Sequence, residues 1–289
     1  MSAFVVTEPG VYDGMPDDVY HADPVAGGSL SSTGARKLLP PSCPALFRWW
    51  ADHGQPPQRA FDFGHAAHRL VLGIGPEIVA VDYDDWRTKD ARERRDAAYA
   101  AGQVPLLAPE YTVVEEMAAA LRAHPIAGAL FTAPGDPEQS MFWTDGDRPN
   151  TLIWRRARVD WFPRWSGSGR LIVPDYKTCR SAEPAACAKA MADYGYYMQA
   201  AWYLDAVRVL GLADEAAFVF VFQQKDPPYL ITVCEPDREA LAVGELRNRE
   251  AVHTYRRCRA AGHWPDYSDG RVLPLSLPRW ALYQLEESA

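Results

Sequence analysis

The strongest pattern along the chain is an alternation of apolar and polar residues from Thr151 to Phe162. Ile153, Ala157, Val159 and Trp161 fall on one side, and Trp154, Arg156, Arg158 and Asp160 on the other. Successive side chains of a strand point to opposite faces, so this period of two predicts a strand with one packed and one polar face. After a turn containing Pro163, Gly167 and Gly169, a second strand is predicted over Arg170–Thr178, with Leu171, Val173, Asp175 and Lys177 sharing a face. Loop length and turn residues predict that the two form an antiparallel hairpin. Helical spacing dominates elsewhere. A helix is predicted from Ser31 or Ser32 to Leu39, opened by a hydroxyl cap and stopped by Pro40 and Pro41. Further helices are predicted over Phe61–Leu72, Pro109–His124, Pro184–Leu210 with a break near Gly195, and Asp237–Ala261. Residues 82–101 mix acids and bases as a solvated helical face does. Short strands fit Ala216–Gln223 and Tyr229–Cys234. This order predicts an α/β or α+β domain spanning 1–289: a loop-rich N-terminal extension over 1–60 holding one helix, a core over 61–261 and a tail over 262–289.

Composition narrows the class. With 289 residues, 48% hydrophobic and 24% charged, the chain is neither disordered nor fibrous, and it is long enough to bury a core without disulfides. Its 30 Lys and Arg against 38 Asp and Glu give a net charge of −8, which argues against a surface basic all over. Counted locally, residues 145–180 hold eight bases and four acids, so the acidity belongs mostly to the rest of the chain, and any nucleic-acid partner is expected to be gripped around the predicted hairpin. The five cysteines, Cys43, Cys179, Cys187, Cys234 and Cys258, are scattered without a CxxC pair and are expected as free thiols of a reducing compartment. No run approaches the roughly 18 apolar residues of a membrane span, so the expectation is a cytoplasmic protein with no membrane partner.

The candidate chemistry lies at Asp160, Asp175 and Lys177. The period of two sets Asp175 and Lys177 side by side, and two carboxylates with an ammonium then converge. Carboxylates with open positions suit magnesium, and a neighbouring lysine can orient or deprotonate a water and offset charge on a phosphate. Surface ion pairs on an amphipathic hairpin would give the same tripeptide. Against that, Leu171, Ile172 and Val173 make the strand apolar right up to the acid. His68 lies in an apolar helix start, Glu138 precedes the apolar run Ser140–Trp143, and Tyr196, Gln199 and Tyr203 share a helix face that also fits a packing stripe.

Taken in order, F-G-H-A-A-H (63–68), E-Q-S-M-F-W (138–143), R-A-R-V-D (156–160), P-D-Y-K-T (174–178) and Q-A-A-W-Y-L (199–204) resemble the motifs of the PD-(D/E)xK nucleases, most of all the RecE or exonuclease VIII type of phages and bacteria. Ser29–Ser32 and Cys43-Pro44 extend the resemblance over roughly residues 15–260. It implies a restriction-endonuclease-like core, a central mixed sheet flanked by helices. It further implies that His68, Asp160 and Asp175 hold Mg2+ or Mn2+, with the Tyr176 carbonyl as a further ligand and Glu138 holding a second ion or positioning the strand. Lys177 would be catalytic, Gln199 and Tyr203 would support the site or touch DNA, and Arg156 and Arg158 would contact phosphates. Ser31, Ser32 and Arg36 would bind a terminal 5′-phosphate. Cys43 matches a cluster ligand of related iron-sulphur nucleases, but the paired C-terminal cysteines are missing, so no iron-sulphur cluster is expected. The implied activity is digestion of double-stranded DNA ends, 5′ to 3′, by a ring-like homo-oligomer, leaving single-strand tails for recombination through an annealing protein. An endonuclease of the same fold and a non-catalytic DNA-binding module stay open as alternatives.

Overall fold

The computed structural model describes residues 4–54, 59–146 and 152–279. Its first segment folds as β1 (Gly10–Tyr12), α1 (Asp17–Ala22), β2 (Ser29–Ser31), α2 (Ser32–Lys37) and α3 (Pro44–His53). Then come α4 (Arg59–Leu72), β3 (Ile78–Val81), α5 (Lys89–Ala100), β4 (Val104–Leu107), α6 (Ala108–Ala123) and α7 (Ala127–Thr132). Three long strands follow, β5 (Gly135–Asp145), β6 (Ile153–Pro163) and β7 (Leu171–Cys179). The chain continues through α8 (Pro184–Asp193), α9 (Tyr196–Val209), β8 (Ala216–Gln224), β9 (Ile231–Cys234) and α10 (Arg238–Ala261). Side chains set several of these boundaries. The Ser31, Thr88 and Asp237 side chains accept the N–H of Gly34, Ala91 and Ala240, satisfying donors that helix starts leave open. Gly195, at φ 65°, makes the break between α8 and α9.

β6 alternates as its sequence predicts, with Ile153, Ala157 and Val159 buried. Its partner differs from expectation. β5 runs antiparallel to β6 from Gly135 against Pro163 to Asp145 against Ile153, and β2 lies parallel along Trp154–Arg156 of its other edge. β7 forms no hairpin with β6: it pairs in parallel with β8, from Leu171 against Ala216 to Cys179 against Gln224, and β8 pairs antiparallel with β9. The helices α8 and α9 between β7 and β8 supply the crossover that parallel pairing needs. The two ladders, β1-β5-β6-β2 and β7-β8-β9, meet where the Tyr176 N–H donates to Asp160 Oδ2 at 2.7 Å. Residues 1–60 are likewise more than an extension of loops, because β1 and β2 form both edges of the first ladder.

Helices cover both faces. On one, Trp202, Tyr203 and Ala206 of α9 and Val252 and Tyr255 of α10 pack on Trp143, Val173, Phe218 and Phe220. On the other, Ala66 and Ala67 of α4 and Val114 and Leu121 of α6 pack with Tyr176 and Val221. The result is a mixed α/β fold with a central mixed sheet between helical layers. Strand β7 contributes Val173 to one core and Tyr176 to the other, which fixes the backbone between them, where Asp175 sits. No described helix is long and apolar enough to cross a membrane, and all five cysteines are free.

Candidate active site

β7 carries its apolar run into the core and delivers Asp175 there with 1% of its surface exposed. Asp175 Oδ1 accepts a 2.6 Å hydrogen bond from Gln199 Nε2 of α9. Its Oδ2 has no aligned hydrogen-bond donor and faces the ammonium of Lys177 at 2.6 Å. Lys177 Nζ in turn lies 5.1 Å from the centre of the Tyr196 ring. Asp160, at the end of β6, is held by the Tyr176 N–H and lies 3.6 Å from His68 Nδ1 of α4. The His68 ring meets Tyr176 edge-on at 5.2 Å. Glu138 is opposite Asp160 across the β5–β6 ladder, between the pairs Pro137–Trp161 and Gln139–Val159. Its φ of 53° is a left-handed conformation uncommon for a side-chain-bearing residue, and such strain gathers at functional sites. Glu138 Oε2 pairs with Arg158 Nε at 2.5 Å.

The electrostatics follow from burial of more negative than positive charge. Burial, with the nearby Asp160 carboxylate adding to it, pushes Asp175 up to about 6, and the same two causes push Glu138 up to about 7. Asp160 is raised by burial. Burial, helped by the Lys177 charge, lowers His68 to about 4, so its imidazole is neutral. Burial alone would lower Lys177, but the carboxylates of Asp175 and Asp160 outweigh it and hold the ammonium protonated above its ordinary range. Lys177 is therefore a cation and a hydrogen-bond donor in this state, and does not serve as a resting base.

The structure thus brings His68, Glu138, Asp160, Asp175, Lys177 and Gln199 to one place. Tyr203 lies deeper, buried edge-on to Phe218 at 5.3 Å, and burial raises its hydroxyl well above the usual range. Ser31 caps α2 and Ser32 begins it, while Arg36 donates to the Tyr194 carbonyl. Arg156 and Arg158 do share a face with Asp160, but they turn into the N-terminal segment. Arg156 pairs with Asp23 at 2.5 Å and donates to Ser29, and Arg158 pairs with Glu138 and donates to the Met15 carbonyl. Arg155 pairs with Asp205 at 2.5 Å, Arg164 with Asp136 at 2.7 Å, and Arg170 with Glu235. The local basic excess is thereby paired with acids from other parts of the chain, which the local charge count does not include. Arg148 and Asp147 from that count, with Thr151 and residues 280–289 of the tail, lie outside the described residues.

Sequence reasoning missed Gln223. Fully buried on β8, it accepts from the Tyr176 hydroxyl at 2.6 Å and donates to the Met117 carbonyl at 2.8 Å, so it anchors the residue between Asp175 and Lys177. Only the strand pairing could have revealed it.

Among the described residues no three His, Cys, Asp or Glu side chains close into an ion-holding set. The donor chemistry nevertheless fits a hard divalent cation. Asp160 and Asp175 are buried carboxylates short of compensating charge, His68 is neutral, and Asp175 Oδ2 has only the Lys177 ammonium against it.

No curated protein matches the sequence. The crystal structure of a "putative exonuclease" from Eubacterium rectale shares the fold, with a TM-score of 0.57 and 13% identity over 88% of this chain and 92% of its own. The family described as a PDDEXK-like domain of unknown function (DUF3799) matches residues 46–271, a span that takes in α4, β5, β6, β7 and α9 and so every residue gathered around Asp175. The chain belongs to that family, and with it to the PD-(D/E)xK nuclease superfamily.

Proposed function

We propose that this protein is a metal-dependent deoxyribonuclease that hydrolyses phosphodiester bonds at the ends of duplex DNA. The observation that carries the reading is the buried Asp160–Asp175–Lys177 cluster at the junction of β6 and β7, with the neutral His68 beside it. Asp160, Asp175 and His68, with Glu138 across the ladder, would hold magnesium or manganese, which supplies charge neutralisation and a more acidic water. The chain's own residues do the rest. Gln199 and the Tyr176 N–H fix the two carboxylates, and this pre-organisation removes a reorganisation step from the reaction. The protonated Lys177 offsets charge growing on the phosphate oxygens.

Digestion from 5′ to 3′, single-strand tails for an annealing protein, a role in recombination and a ring-like homo-oligomer rest on the likeness of the motifs to the RecE type. The free thiols support a reducing, cytoplasmic setting. The test is digestion of linear and closed-circular plasmid in magnesium and in EDTA, with Asp175→Ala and Lys177→Ala alongside. Linear DNA should disappear in magnesium alone and survive both variants. Equal degradation by wild type and variants, or indifference to EDTA, overturns the site, and cutting of closed circles overturns the exonuclease reading.

A further inference from the structure

With the β6 arginines paired internally, cations that the chain leaves without an acid have more of their charge free for phosphates. Among the described residues, Arg36, Arg180 and Lys225 have no carboxylate partner, and each belongs to a segment connected to the strand or ring that meets Lys177. Arg180 follows β7 directly. Lys225 follows β8, its N–H donates to the Cys179 carbonyl at 3.1 Å, and its ammonium lies 5.2 Å over the ring of Phe63. Phe63 belongs to α4, the helix that carries His68, so this cation is anchored to a wall of the site. At about 3.3 Å per residue, Cys179 lies about 7 Å beyond Lys177 along β7. Across the site, Arg36 holds the Tyr194 carbonyl, the Tyr194 and Tyr196 rings are 5.6 Å apart, and the Tyr196 ring reaches Lys177. Tyr194 is 57% exposed, so much of its ring stays open to solvent beside Tyr196.

We propose that Lys225 and Arg180 on one side of Lys177, and Arg36 with the exposed ring of Tyr194 on the other, lay a DNA strand across Asp175. This rests on the nuclease reading above. The cations take backbone phosphates on either side of the reacting one, and the tyrosine stacks on a base, a contact indifferent to sequence. Cleavage without base preference follows, since none of these groups reads a base edge.

The test measures KM and kcat on a linear duplex in magnesium and binding of a labelled duplex in EDTA, each against salt, for wild type, Lys225→Ala, Arg180→Ala, the double variant and the exposed control Arg238→Ala. Lys225→Ala and Arg180→Ala should each raise KM three- to tenfold with kcat within twofold. Each should also lower the slope of log affinity against log salt by about 0.9, the value for one phosphate contact. Lys225→Arg should restore both, and Arg238→Ala should match wild type. Wild-type KM and slope in the double variant overturn the proposal and leave the nuclease reading intact. A wild-type protein that neither binds nor degrades duplex overturns both.

Discussion

Gly244 of α10 offers a test of the packing that positions the site, because the ordinary rule and the structure predict opposite signs. Alanine in place of glycine inside a helix usually stabilises by about 1 kcal/mol. Here an added Cβ would sit 2.3 Å from the Tyr197 carbonyl oxygen and 3.0 Å from Ala201 Cβ, both on α9. Restoring an ordinary contact needs a displacement of about 1 Å between the two helices. The group in the way is backbone and cannot rotate aside. One turn on, Asn248 Nδ2 donates to the Met198 carbonyl at 2.9 Å and resists the same movement. Overpacking costs about 1–3 kcal/mol, and a backbone clash belongs at the upper end, so Gly244→Ala should destabilise by about 2 kcal/mol net. That is a fall in Tm of roughly 4–8 °C, or a lower urea midpoint at unchanged slope. Since α9 also carries Gln199, whose amide holds Asp175 at 2.6 Å, activity should fall roughly 10- to 100-fold in protein that is still folded. Gly64→Ala on α4, where nothing lies within 4 Å of the added Cβ, is the matched control and should stabilise by about 1 kcal/mol. A Gly244→Ala protein as stable as wild type would refute the close α9–α10 crossing and the account of how Gln199 is placed.

Saturating magnesium or manganese should raise Tm, with about 2.7 kcal/mol gained at 100 times Kd, and EDTA should reverse it; calorimetry of Asp175→Asn should show no such gain. The metal-free protein should lose stability as pH rises from about 4 to about 7. Asp175 near 6 and Glu138 near 7 in the folded state both lie above their unfolded values near 4, so the folded state binds more protons in that window and its stability falls as they leave. Urea midpoints in EDTA for wild type and Glu138→Gln should therefore converge towards pH 4 and differ most above pH 7; a constant difference would show that Glu138 does not titrate as described. Gly135→Ala should destabilise β5, because its Cβ would meet Trp161 Nε1 at 2.2 Å, and a wild-type urea midpoint would contradict that packing.

The elements with many repeats of one period were legible. β6, α6, α9 and α10 stand where alternation or helical spacing places them, and β8 stands where its apolar run places it, a central strand buried on both faces. β1 and β2, three residues each, offered no period and exist through their pairing with β5 and β6. The hairpin reading failed because a connection of seven residues with Gly167 and Gly169 at positive φ allows a return or a departure equally, and the choice rests on β2, β5 and β8 competing for edges. In the site, Asp175 and Lys177 were legible from their own strand. The partners of Arg156 and Arg158 were not, since Asp23 and Glu138 lie 133 and 20 residues away in sequence, and a local charge count cannot see them.

Those ion pairs bear on how the protein can hold an anion at all. With Glu138 compensated by Arg158 and His68 neutral, Asp160 and Asp175 against Lys177 leave the buried site one negative charge in excess when both carboxylates are ionised; burial is the main cause that raises the three acids, and the two aspartates raise the lysine. A site of that sign repels a phosphodiester. In the proposed function a divalent cation would reverse the excess to one positive charge, so attraction of the scissile phosphate would depend on the ion, whereas the proposed contacts of Arg36, Arg180 and Lys225 would attract DNA without it. Two components of affinity follow from this separation: one that responds to EDTA and disappears in Asp175→Asn, and one that responds to salt and weakens in Lys225→Ala. A protein whose DNA affinity were wholly insensitive to EDTA would hold its substrate at the rim alone, and the charge reversal at Asp175 would then have no part in binding.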